Sequence, residues 1–299
     1  MFIIKHKKIF IGISATLVLL SIISLFVFTP QIGIDFKGGA LTEVVYKDSR
    51  PAVSDLEAAF KQINFGPVLI QPTGNLGYIV KSSDLSESEH NLLLQTLSQN
   101  GKNPLEEKDF NSIGPSVGRE LTRKAIIAII LVSLGIIIFI AFAFRKVSKP
   151  VSSWKYGLMA IVSLLHDVII PIGIFSVLSH FYGAEIDTLF VVAALTILGL
   201  SVSDTIVIFD RIRENLRNKV FNTFSETVGR SLDQSYMRSI FTSLTVIIVL
   251  LSLFFYGPES TKYFALMLTA GMFFGTYSSI FLASPLLVLL EEKQEKSKK

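Results

Sequence analysis

Apolar and polar positions alternate along this chain on two scales. On the long scale there are six apolar runs: Ile9–Phe28, Ala125–Phe144, Tyr156–Phe181, Thr188–Phe209, Met237–Tyr256 and Tyr263–Leu290. Crossing the hydrocarbon core of a bilayer takes about 20 helical residues, and each run is long enough. The one long polar segment, about Gln31 to Thr122, has the shorter periods of a folded domain instead. Leu41–Tyr46 is rich in β-formers, and Ser54 is placed to cap the amphipathic stretch Asp55–Ile63. Pro67–Gln71 and Tyr78–Lys81 read as strands joined by the turn Pro72-Thr73-Gly74-Asn75. Ser86 opens a second helical stretch, Glu87–Ser98, with Leu92, Leu93 and Leu97 on one side; Gly101 stops it and Leu105–Phe110 forms a last strand. The order β-α-β-β-α-β is that of the ferredoxin-like split unit, and about 90 residues suffice for one such domain. The predicted fold is therefore a polytopic α-helical membrane protein, with six transmembrane helices and a ferredoxin-like α+β external domain between helices 1 and 2. Residues 1–30 form a cytoplasmic tail and helix 1, 31–122 the external domain, 123–291 helices 2–6, and 292–299 a cytoplasmic tail.

Composition agrees with a membrane chain. Half of the 299 residues are hydrophobic and 17% are charged, and the mean hydropathy is +0.55. The net charge of +4 is explained by where the cations lie. Lys5, Lys7 and Lys8 precede the first span, and Arg145, Lys146, Lys149 and Lys155 separate the second from the third. Arg211, Arg213, Arg217, Lys219 and Arg230 separate the fourth from the fifth, and Lys293, Lys296, Lys298 and Lys299 follow the sixth. On the other side, the loops around Glu185–Asp187 and Gly257–Lys262 carry the single cation Lys262. That asymmetry is the positive-inside pattern and predicts both termini in the cytoplasm. The basic runs act first as orientation signals, with anionic lipid a secondary contact, and nucleic acid is not expected. With no cysteine, disulfides, Cys-ligated zinc and thiol chemistry are excluded. The first run is longer than a usual signal-peptide core and reads as a retained anchor.

Against this background a carboxylate inside a span is conspicuous. Asp204 lies in the run Thr188–Phe209, where an ionisable side chain costs roughly 2.5–3.5 kcal/mol on insertion scales. At helical spacing it shares a face with Ser201 and Thr205. In the next span Arg238, Thr242 and Thr245 recur at i, i+4, i+7, with Ser231 and Ser235 continuing the line. Two polar stripes on consecutive antiparallel helices are expected to face each other and to pair Asp204 with Arg238. Burial and a guanidinium act in opposite directions on whether that carboxyl holds a proton, which is the balance a protonatable switch needs. The plainer alternative is an ion pair that only fixes helix register, with Arg238 snorkelling to the headgroups. His166 and Asp167, at mid-depth in the third span, are a possible relay toward Asp204 or else polar packing; Pro171 is expected to kink that helix. Gly271, Gly275, Ser279 and Ala283, each four apart, mark a close packing surface, within the chain or between subunits.

Two glycine segments flank the external domain: Gly33-Ile-Asp-Phe-Lys-Gly-Gly39, including Asp35 and Gly38, and Gly114-Pro-Ser-Val-Gly118. Neither has the Gly-x-x-x-x-Gly-Lys-Ser/Thr pattern of an ATP phosphate loop. They read as a hinge or as plain turns. No enzymatic activity, cofactor or metal is expected, and any work must come from the membrane gradient or a partner.

One large external domain followed by five spans with short loops corresponds to one half of a resistance-nodulation-division transporter. The two glycine segments, Leu165-His-Asp-Val168 and the run Gly199-Leu-Ser-Val-Ser-Asp-Thr-Ile-Val-Ile-Phe-Asp-Arg-Ile-Arg-Glu-Asn215 resemble the SecF family of bacterial protein-export subunits over essentially the whole chain. Ser203 is a departure, since many relatives carry Asn before the Asp. The resemblance implies a cytoplasmic-membrane complex with SecD that uses the proton gradient to draw polypeptides from the SecYEG channel, with YidC and membrane lipid as further partners. It carries the family's key membrane charges onto Asp204 and Arg238. As read, the chain has no SecD half, so a separate SecD is expected. A small-molecule or lipid exporter of the same superfamily and a non-transporting assembly factor are the alternative readings. The external domain, at about 90 residues, is small for the porter chambers of drug pumps.

Overall fold

A computed structural model describes residues 2–144 and 152–298, which fold as two compact units. The cations Arg145, Lys146, Lys149 and Lys299 of the orientation pattern lie outside the described residues. One unit is Ile32–Ile126; the other combines Met1–Gln31 with Ile127–Lys299.

In the first unit, strands β1 (Gly39–Tyr46), β2 (Leu69–Thr73), β3 (Gly77–Ser82) and β4 (Leu105–Ile113) form one antiparallel sheet in the order β2-β3-β1-β4. Two helices, Val53–Gln62 and Glu87–Leu97, connect β1 to β2 and β3 to β4. This is the split β-α-β arrangement expected of that pattern. Along β1, Ala40, Thr42, Val44 and Tyr46 are buried and the residues between them less so, the period of two that a one-sided sheet requires. Val44, Tyr46, Tyr78 and Val80 meet Leu56, Phe60, Leu93 and Leu97 from the helices. Ser86 makes a full capping box with Glu89, and this hydrogen bonding holds the Glu89 carboxyl below the usual range. Ser54 does not cap the first helix. Chain direction is already set at Pro51 and Ala52, so the helix starts at Val53 and Ser54 falls inside its first turn. Pro72 and Thr73 likewise belong to β2 and the turn begins at Gly74; proline is tolerated there because β2 is an edge strand.

The glycine segments meet within this unit. Ile34–Lys37 forms a short helical turn ending at Gly38, whose φ is +82°. A Cβ on Gly118 would stand 2.9 Å from the Phe36 carbonyl oxygen and 3.0 Å from the Gly38 nitrogen; one on Gly38 would stand 3.0 Å from Pro115 Cα. Such backbone-to-backbone approach leaves no room for a side chain.

The second unit is helical. Six helices among the described residues are long and apolar enough to cross a membrane. They are α1 (Lys7–Val27), α2 (Pro115–Phe144), α3 (Ser153–Tyr182), α4 (Thr188–Arg217), α5 (Phe224–Tyr256), and a sixth made of α6 (Lys262–Ser278), a π-helical turn (Ser279–Ala283) and α7 (Ser284–Lys298). Asp187 caps α4 through the Phe190 amide and Thr223 caps α5 through the Glu226 amide. Helix α3 runs through Pro171. Gly173 lets α1 come close: a Cβ there would fall 2.4 Å from Ser21 Cβ, and Ser24 donates to the Gly173 carbonyl at 3.0 Å. Helices α3, α4 and α5 contribute fully buried side chains to the interior, among them Tyr156, Ile208, Phe209, Ile212 and Leu232.

Candidate functional site

The site is built on the small residues of α6. A Cβ on Gly271 would lie 2.2 Å from Ile197 Cγ1, and one on Gly275 would lie 3.4 Å from Ser201 Cβ. Gly271 and Gly275 thus pack against α4 of the same chain. That approach brings three hydroxyls, those of Thr276 and Ser278 in α6 and of Ser279 in the π-helical turn, within reach of neighbouring helices. Thr276 donates to Asp204 Oδ2 at 3.2 Å and is hydrogen-bonded to Ser243 of α5. Ser278 donates to Asp167 Oδ2 at 2.6 Å and accepts from Ser163 of α3 at 2.8 Å. Ser279 lies 2.8 Å from the Thr205 hydroxyl. The π-helical turn begins at Ser279, and Ser284 donates back to the Ser279 carbonyl at 3.1 Å. Such turns recur at functional positions in helices.

Two carboxylates therefore lie in one hydroxyl-lined interior, in different environments. Asp167 is fully buried, with Oδ2 accepting from Ser201 and Ser278 and Oδ1 lying 2.8 Å from His166 Nδ1. Buried charge is tolerated when its lone pairs are met in this way. His166, 2% exposed, stacks at 6.1 Å on Tyr277, and its Nε2 has no hydrogen-bond partner among the described residues. Asp204 is only partly buried. Ser239 and Ser243 lie on the α5 face toward it, Ser243 joined to it through Thr276; Ser239 Oγ itself makes no hydrogen bond among the described residues.

The structure brings together Asp204, Ser201, Thr205, His166 and Asp167, but not Arg238, Thr242 or Thr245. Arg238 is exposed and makes no ion pair among the described residues. Thr242 and Thr245 are exposed and donate to carbonyls of their own helix, Arg238 O at 2.9 Å and Thr242 O at 2.7 Å. The expected Asp204–Arg238 pair is not formed. Its physical reason is register. The inward face of α5 is Thr227, Ser231, Ser235, Ser239 and Ser243, all buried and four apart, and Arg238 is rotated about 100° from it. Ser239, Ser243, Thr276 and Ser278 were missed. An unbroken serine repeat along α5 was the signal that marked the facing side. Gly33, Asp35, Gly38, Gly39, Gly114 and Gly118 lie in the other unit, where the two glycine segments form the packed joint described above.

A βαββαβ domain set after the first of six helices long and apolar enough to cross a membrane, with carboxylates among hydroxyls inside the bundle, defines a polytopic membrane protein. The family model for the C-terminal part of the protein export membrane proteins SecD/SecF matches residues 93–293. The chain belongs to the SecF family. It is 40% identical over 303 residues to the protein translocase subunit SecF of Thermobaculum terrenum, covering 97% of this chain and 94% of that one. It is 33% identical to the protein translocase subunit SecDF of Bacillus subtilis, covering 94% of this chain and 37% of that one. The crystal structure of SecDF from Thermus thermophilus, a translocon-associated membrane protein, superposes with a TM-score of 0.80 at 30% identity, over 97% of this chain and 38% of that one. A SecDF structure in a super-membrane-facing form gives 0.69 at 30% identity. The chain thus spans about two fifths of the solved SecDF chains and nearly the full length of the SecF relative. It is a multi-pass protein of the bacterial membrane.

Proposed function

We propose that this chain is the SecF-type accessory subunit of the Sec protein translocase, which works with SecD to couple the proton gradient to polypeptide export through the SecYEG channel. The reading is supported by near full-length likeness to proteins named translocase subunit SecF, and by likeness to a relative named protein translocase subunit SecDF, of which this chain covers 37%. Both termini are assigned to the cytoplasm on the distribution of cations.

The observation that carries the coupling is Asp204, a partly exposed carboxylate within a span, held by a threonine from a different helix. As an anion it accepts a hydrogen bond from the Thr276 hydroxyl. Once protonated, its own O–H becomes a donor, so Thr276 and Ser243 must turn and the contact between α4, α5 and α6 changes. The gradient supplies about 2.3 kcal/mol per charge per 100 mV, enough to tilt a balanced pair of packings. The glycine joint then passes the movement to the external domain as a packed element.

The test is Asp204→Asn in proteoliposomes containing the translocase and SecD. Gradient-dependent stimulation of preprotein export is expected to disappear, with expression and SecD copurification unchanged. Full stimulation in that variant overturns the reading.

A further inference from the structure

Two cavities adjoin where the chain enters α1. The first, about 400 Å³, is walled by Ile4, Leu232, Tyr236, Ile240, Ile280 and Phe281. The second, about 540 Å³, shares Phe2 and Ile4 with it and is lined by Lys5, Lys7 and Ser225. An apolar slot therefore opens beside a cationic one. Ile240 is 40% exposed, so the slot opens on the outer surface of α5, a helix long and apolar enough to cross a membrane. The aromatic–aliphatic wall, Tyr236 and the lysines together make the usual profile of a membrane–water boundary.

The charge balance is local. Lys7 is paired with Glu292, and Asp233 on the slot wall already has a partner. Lys5 is exposed and makes no ion pair among the described residues. One uncompensated cation thus sits at the mouth of a slot otherwise lined mainly by hydrocarbon. Acyl chain in the first cavity and a negatively charged headgroup in the second satisfy both at once.

We propose that this pair of cavities binds an anionic phospholipid, with an acyl chain between Ile4 and Tyr236 and the headgroup phosphate against Lys5, beside the Lys7–Glu292 pair. The site holds the short helix Phe2–Lys5 against α5. It lies apart from Asp204 and does not depend on proton coupling.

The test uses the full chain, purified in detergent, stripped of lipid and titrated by native mass spectrometry. The probes are phosphatidylglycerol and phosphatidylcholine with the same acyl chains. Phosphatidylglycerol is expected to bind preferentially. Lys5→Gln weakens its binding roughly 5-fold, one lysine's worth. Ile240→Trp, which fills the slot without touching the charges, weakens it too, and thermal melts confirm that both variants are folded. Equal binding of phosphatidylcholine, or unchanged binding in the folded variants, overturns the proposal. Displacement of the lipid by millimolar inorganic phosphate also overturns it, because the site is then one for free anions. Loss of export in Asp204→Asn with lipid binding intact is the expected pairing, so the two proposals fail separately.

Discussion

Tyr46 shows how one buried side chain ties the external domain to pH. Its hydroxyl donates to the Leu97 carbonyl at 2.9 Å, and burial, with Tyr78 nearby, pushes the phenol well above its ordinary range. A group whose folded value is raised contributes stability that is complete below the unfolded value and is lost as pH rises through it. The external domain is therefore expected to lose stability from about pH 10 upward, when the unfolded tyrosine ionises and the folded one does not. Tyr46→Phe removes that alkaline dependence at a cost of about 1 kcal/mol near neutrality; near-ultraviolet melts across pH measure both. If Tyr46→Phe retains the full alkaline loss, the dependence comes from another group. At this scale the sequence was legible where a residue's chemistry was unusual for its place, as with Asp204 in an apolar run. It was less legible where the choice was between adjacent residues. Arg238 and Ser239 differ by 100° around one helix, and the arginine drew the register because its charge was the stronger signal.

At the scale of elements, boundaries followed local chemistry well when caps or hydropathy set them. Thr188 and Tyr256 bound α4 and α5 as the apolar runs indicated, and β1 kept its two-residue period. The helix pair α4–α6 depended instead on tertiary contact. The glycine stripe announced close packing but could not say against what. The hydroxyls beside it, Thr276, Ser278 and Ser279, gain meaning only once α6 is placed against α3 and α4. Gly271 tests that placement. An alanine there puts a methyl 2.2 Å from Ile197, so Gly271→Ala is expected to destabilise the bundle by about 1–3 kcal/mol. Ile197→Ala in the same chain should recover a large part of the loss by vacating that space. Thermal melts of the single and double variants measure the coupling. Additive losses would show that the two residues do not meet.

On the whole molecule, burial is uneven. Of the residues in the most apolar stretch of each span, 56% are buried in the third and sixth, 17% in the fifth and 6% in the second. Phe241, Ile248 and Val249 stand outward on α5, 58%, 55% and 65% exposed, on the same helix as the exposed Arg238. A cation on a lipid-facing surface is costly, and a second transporter half supplies a wall that lipid does not. On the proposed function SecD is the natural cover for this surface, and Arg238 is then expected to act at that contact, since among the described residues it makes no ion pair with Asp204 of its own chain. The two membrane charges then separate experimentally. Arg238→Ala removes no ion pair inside the chain, so its melting in detergent should stay within about 0.5 kcal/mol of the parent. Copurification with SecD should fall, and export stimulation should fall with it. Asp204→Asn should show the opposite split, keeping SecD and losing stimulation. If Arg238→Ala keeps SecD at parental levels, the charge is not at that interface; if it unfolds the isolated chain, the residue is structural within this half.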